Sequence, residues 1–174
     1  MSNTIRERAL RVLNNHESAA HTAIHNAVID LRRNAESGDE RILRPFLSHP
    51  DPMVVGATLY TLFEVHNQRD VLRPMVERFA GGDPRDDTEM PIQTMAISLL
   101  SMFGNRDAPA IARLLEIAEN RETADAPRKR AWQKLAELFN IDWSRSDTDE
   151  ILRCPESDAS EQIRSRIRKA IREA

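Results

Sequence analysis

Three asparagines share the same apolar approach, and that recurrence restricts the fold more than any other feature. Leu62, Leu100 and Leu135 stand five residues ahead of Asn67, Asn105 and Asn140. Eight residues ahead stand Leu59, Ile97 and Trp132, and two ahead stand Val65, Phe103 and Leu138. Steps of three keep these side chains on one side of a helix. A second echo joins Ile42-Leu43-Arg44-Pro45 to Val71-Leu72-Arg73-Pro74, 29 residues apart. An apolar face that recurs once per unit cannot be buried by one unit alone, so the units must stack.

Helix punctuation fits that reading. Thr4-Ile5-Arg6-Glu7 has the form of a capping box, in which a hydroxyl and a carboxylate satisfy the free N–H groups of a first turn. A longer helix is predicted from about Ser18 to Ala35, with Ala20, Ile24, Ala27, Val28, Leu31 and Ala35 on its apolar face. Gly38 suits a left-handed helix end and Asp39 a cap for a short helix running to Ser48. Pro50-Asp51-Pro52 opens a helix to about Asn67, and Asp70 one that ends near Gly81-Gly82. Thr88 or Glu89 opens the next, which ends at Gly104-Asn105. Asp107 caps a helix ending near Asn120, and Asp125-Ala126-Pro127 starts another ending at Asn140. The order is helix, turn and helix, three times over.

The last thirty residues depart from the pattern. Residues 143–156 are polar, carry Pro155 and read as a linker with one short turn at 149–153. Asp158-Ala159-Ser160-Glu161 is a second capping box, followed by an apolar stripe of Ala159, Ile163, Ile167, Ala170, Ile171 and Ala174. A helix with one polar face is what the end of a stacked array needs.

The stretch from His49 to Phe79, HPDPMVVGATLYTLFEVHNQRDVLRPMVERF, resembles a HEAT-like repeat of the type first described in bilin lyases. Asp51, Val54, Ala57, Leu59 and Leu62 fall on that pattern, and Val55 stands where the family often has an arginine. Residues 95–117 repeat the pattern, and 128–140 do so more weakly. The resemblance covers about residues 39–142. It implies an all-α fold, a right-handed α-α superhelix of three to four helix pairs with a C-terminal capping helix. The expected division is a helical repeat domain over 1–142, with 1–38 a degenerate first pair, a linker over 143–156 and a capping helix over 157–174. The Trp-Leu-Gly-Tyr signature of tetratricopeptide repeats, the competing assignment, is absent.

Charge and composition bear on function. The formal net charge is -3 and the pI about 6.0, without the basic excess of most nucleic-acid binders. Arg164, Arg166, Arg168, Lys169 and Arg172 make the last helix basic, but cations near a helix C-terminus also complement its dipole. A single cysteine, Cys154, no bilayer-length apolar run and no apolar signal core at the N-terminus point to the cytoplasm. His21 and His25 have the one-turn spacing of metal ligands, with Glu17 a turn earlier. Histidines at the edge of an apolar stripe are more often plain surface, so neither a metal nor a cofactor is expected.

No phosphate loop, nucleophile elbow or Cys–His pair is present, so the expectation is a binding protein rather than an enzyme. In the family the second helices line the concave face. Opposite their apolar stripe lie Tyr60 and Glu64, Thr94 and Ser98, then Lys129, Gln133 and Glu137. The loop carrying Asp83, Arg85, Asp86 and Asp87 lengthens one repeat and is expected on a binding edge. A protein partner is therefore expected, in an adaptor or in a bacterial antitoxin-type immunity protein. The alternatives are a nucleic-acid-binding or DNA-repair protein and, by analogy of fold alone, a cofactor lyase.

Overall fold

The computed structural model describes residues 2–87, 91–104, 106–142 and 158–173, and all regular structure among them is helical. The helices are α1 (Ser2–Asn14), α2 (His21–Arg33), α3 (Asp39–Leu43), α4 (Pro52–Tyr60), α5 (Arg69–Ala80), α6 (Pro91–Ser101), α7 (Ala108–Glu119), α8 (Asp125–Leu138) and α9 (Asp158–Glu173). None is long and apolar enough to cross a membrane. The chain forms two compact units, residues 1–96 and 97–174. The predicted linker over 143–156, Cys154, Thr88, Glu89 and Asn105 lie outside the described residues.

In the first unit α1 packs along α2, burying Ala9 and Leu13 against a face that carries Ile24, Ala27, Val28 and Leu31. That face is the expected stripe without its two ends, because Ala20 and Ala35 lie outside α2 and are exposed. Helix α2 runs parallel to α4. His21, at the start of α2, lies 3.3 Å from Asp51 at the start of α4, and Arg32 stacks on Tyr60 near the far ends of both. Helix α4 is buried on most sides, from Val54 through Leu59, and Val55 is fully enclosed.

Asp51 does what Pro-Asp-Pro predicts: its carboxylate accepts from the Met53 and Val54 amides at 2.9 and 3.1 Å. Past Tyr60 the helix widens into a π turn over Thr61–Val65, closed by the His66 amide on the Thr61 carbonyl. The Thr61 hydroxyl donates to the Ala57 carbonyl at 2.8 Å, and such back-bonding competes with the regular ladder. Asn67 then turns left-handed, with φ 50°, and Asn140 does the same at φ 52° after α8. Two of the three asparagines that anchor the sequence repeat thus end their helices in one conformation.

Three cap assignments need correction. Helix α1 already runs at Ser2, so Thr4 sits inside its first turn and is not its cap. Gly38, left-handed at φ 100°, precedes α3, and Asp39 is a buried first residue bound to Arg6 rather than the cap. Gln68 precedes α5, which leaves Asp70 within its first turn. The short helix after Asp39 is also divided, with a 3-10 turn over Arg44–Ser48.

Gly56 sets how α6 begins. A Cβ on Gly56 would stand 3.4 Å from the Pro91 carbonyl oxygen and 4.0 Å from the Met95 Cβ. Alanine fits that space, and its better helix propensity, about 1 kcal/mol, offsets the tight contact. Leucine does not fit. Gly56→Leu is expected to cost about 1–3 kcal/mol by overpacking while Gly56→Ala is near neutral, as thermal denaturation of both variants would show.

The second unit holds the rest of α6 with α7, α8 and α9. Ile97 and Leu100 from α6, Leu114 and Ile117 from α7, and Trp132 and Leu135 from α8 are buried. Asp107 caps α7 as expected, accepting from the Ala110 amide at 2.9 Å. Helix α9 contributes Ile163 and Ile167, while Arg168 reaches Glu119 at 2.6 Å and Glu161 at 3.1 Å. Burying an isoleucine is worth about 1.5–3 kcal/mol, whereas an exposed ion pair gives about 0–1. The apolar stripe, not the arginine, holds α9 in place.

Candidate functional site

The residues expected on the concave face fall in both units. In the first, Tyr60 is half-buried and the Arg32 guanidinium lies 5.2 Å from its ring centre. One turn on, Glu64 is half-buried, 3.8 Å from Arg69, whose guanidinium lies 5.6 Å from the Phe63 ring centre. Helix α4 with its π turn therefore displays Tyr60 and Glu64 between arginines supplied by α2 and α5. Thr94 is half-buried on the first half of α6. In the second unit Ser98, Lys129 and Gln133 are half-buried, and Glu137 is exposed with Lys134 at 2.6 Å.

The edge loop is built inward. Arg85 holds both oxygens of Asp83, at 2.7 and 2.9 Å, and donates to the Leu47 and His49 carbonyls at 3.0 and 3.1 Å. It also lies over Phe79, 5.5 Å from the ring centre. Its hydrogen bond draws the Asp83 carboxyl below the usual range, and the carboxylate in turn raises the arginine. Asp86 accepts from the Ile92 and Gln93 amides at 2.8 and 2.9 Å, so it serves the first turn of α6, and burial pushes its carboxyl up. Of the four loop residues named from the sequence, Asp87 alone is exposed.

The fold also assembles a cleft that helical spacing did not reveal. It encloses about 360 Å³ and is lined by His16, Glu17, His21, Phe46, Ser48 and His49, with Ala19, Pro45 and Pro50. The His21 and His49 rings meet edge to face at 5.0 Å, as do His16 and Phe46 at 5.1 Å. His25 stays outside it. Pro50-Asp51-Pro52 carries His49 back to the start of α2, so His21 finds His49 and Asp51, not its neighbour on the same helix. Among the described residues no three His, Cys, Asp or Glu side chains converge on a metal-sized point.

Burial lowers the pKa of His49 below 6.5, and the nearby His21 adds to the effect. The folded chain then binds fewer protons there than the unfolded chain. The contribution is complete above pH 6.5 and is lost as the pH falls through and below that value. The melting temperature is therefore expected to fall between pH 7 and 5.5 as this contribution is lost. A His49→Gln variant should fall less, and thermal melts at the two pH values check it.

The cations of α9 are largely matched. Arg164 lies 3.2 Å from Glu161, Arg168 is shared by Glu119 and Glu161, and Lys169 lies 3.8 Å from Glu173. Trp132 is enclosed at 1% exposure, which makes it a packing residue. Set against family models, curated proteins and solved structures, the chain matches none of them.

Proposed function

We propose that this chain is a non-catalytic protein-binding module of HEAT-like helix pairs, an adaptor or an antitoxin-type immunity protein, that engages its partner through the face carrying Tyr60 and Glu64. The observation that carries the reading is the Arg32–Tyr60 stack beside the Glu64–Arg69 pair. Tyrosine and arginine dominate the energetics of protein interfaces, and here the tyrosine ring is already oriented before any partner arrives. The parallel register of α2 and α4 supports the stacking of pairs that the sequence repeat implies. A mixed-charge rim around an aromatic anchor suits a protein surface better than a phosphate backbone.

Co-purification from an extract of the native cell tests this. A partner should co-elute with the wild-type chain and be depleted by Tyr60→Ala and by Glu64→Arg. Full recovery of the same partner by both variants would exclude this face.

A further inference from the structure

The histidine cleft has a chemistry distinct from the Tyr60 face, and its tautomers can be read from its neighbours. His16 Nδ1 lies 3.0 Å from the Leu13 carbonyl, which can only accept, so the proton is on Nδ1 and Nε2 carries the lone pair. His21 Nδ1 lies 3.3 Å from a carboxylate oxygen of Asp51, which favours the same tautomer. His49 is the reverse: its Nδ1 accepts from the Asp51 amide at 3.1 Å. Two of the three imidazoles lining the cleft are thus acceptors when neutral. Glu17 adds a carboxylate and Ser48 a hydroxyl, while Phe46 is buried behind the His16 and His49 rings.

Three ligand classes can be weighed against this lining. An anion would meet the Glu17 carboxylate, the one formal charge among the residues that line the cleft. A transition metal needs a third convergent ligand, and among the described residues there is none. A planar cation with several N–H donors matches the negative charge of Glu17 and the acceptor chemistry of the neutral imidazoles together.

We propose that this cleft is an anchor pocket for the guanidinium of an arginine side chain on a partner polypeptide. The proposal rests on the binding-module reading, to which it adds a second contact point and a partner chemistry. Arg85 positions the pocket from behind, since it fixes the Leu47 and His49 carbonyls while its own charge is held by Asp83. The titratable groups around the pocket are His16, Glu17, His21, His49 and Asp51, with Arg85 behind the Leu47–His49 strand of chain. A proton gained by His49 at low pH would add positive charge to the lining, so the pocket should repel a cation there.

The test uses the intact chain and N-acetyl-arginine amide, followed by amide NMR shifts at pH 7.5, and needs no native partner. Saturable shifts are expected around Glu17, His21 and His49, with a dissociation constant of roughly millimolar order for so small a fragment. Glu17→Gln, whose own spectrum should remain that of a folded chain, should weaken binding about threefold or more, and pH 5.5 should weaken it further. His21→Ala serves as a second variant and should also weaken it. No shift at these amides, shifts only elsewhere, or tighter binding of acetate or inorganic phosphate in the same cleft would overturn the proposal. Any of those results would leave the Tyr60 face untouched, and loss of that face would leave this titration unchanged.

Discussion

Replacing Trp132 with alanine is expected to remove about 3–5 kcal/mol of stability from residues 97–174. The indole is 1% exposed and lies on the face of α8 that also buries Ala131, Leu135 and Ala136. Its loss combines a large transfer term with a cavity that rigid helices cannot fully collapse. Since a domain of this size is stable by about 5–15 kcal/mol, the variant should be marginal. Trp132→Phe should be much milder. Among the described residues the buried indole Nε1 has no hydrogen-bond partner, so phenylalanine gives up volume and no hydrogen bond among them. Urea denaturation followed by far-ultraviolet circular dichroism checks both, and equal losses for alanine and phenylalanine would refute the packing role.

The second large effect is predicted in the other unit, at a buried charge. Asp39 has a side chain only 2% exposed, and its oxygens take the Arg6 guanidinium at 2.5 Å and the Glu36 amide at 2.9 Å. Arg6 also reaches Glu36 at 3.1 Å. Arg6→Leu would strand the Asp39 carboxylate away from water with one amide for company, at a cost of about 3 kcal/mol or more. The double variant Arg6→Leu with Asp39→Leu should recover most of that loss, because an ion pair of this kind is replaceable by apolar contact. A double variant as unstable as the single one would show that the pair is not the cause. Urea midpoints of the three proteins decide it.

Much of the first-order architecture was legible in the residues. The steps of three behind Leu62, Leu100 and Leu135 mark buried faces because helical geometry makes them so, and all three leucines are fully enclosed. Asp51 and Asp107 were readable as caps because a carboxylate at that position has only nearby amides to satisfy. Thr4, Asp39 and Asp70 carry the same local signal without acting as caps, since Asp39 answers to Arg6, 33 residues away. The π turn was not legible, because spacing does not encode that the His66 amide bonds the Thr61 carbonyl, five residues back, and not that of Leu62.

The candidate sites divide in the same way. Tyr60 and Glu64 follow from the helical period, but the Arg32 and Arg69 that flank them come from other helices. The loop over 83–87 looked like a charged edge because its composition is acidic. Arg85 reverses that appearance by bonding carbonyls 36 and 38 residues back along the chain. The histidine cleft was hidden for the same reason. His21 and His49 meet only because α2 and α4 lie side by side, and no periodicity joins residues so far apart in sequence.

The central claim is that the Tyr60 face binds a protein, and affinity for a purified partner tests it most directly. Calorimetric titration of the partner into wild type, Tyr60→Ala and the distant control Lys169→Ala would be compared at equal folded fraction. A face anchored on Tyr60 predicts that Tyr60→Ala weakens binding by about 30-fold or more, as truncation of an interface anchor does, while Lys169→Ala binds as wild type. Equal affinity of all three proteins, with Tyr60→Ala fully folded, would contradict it.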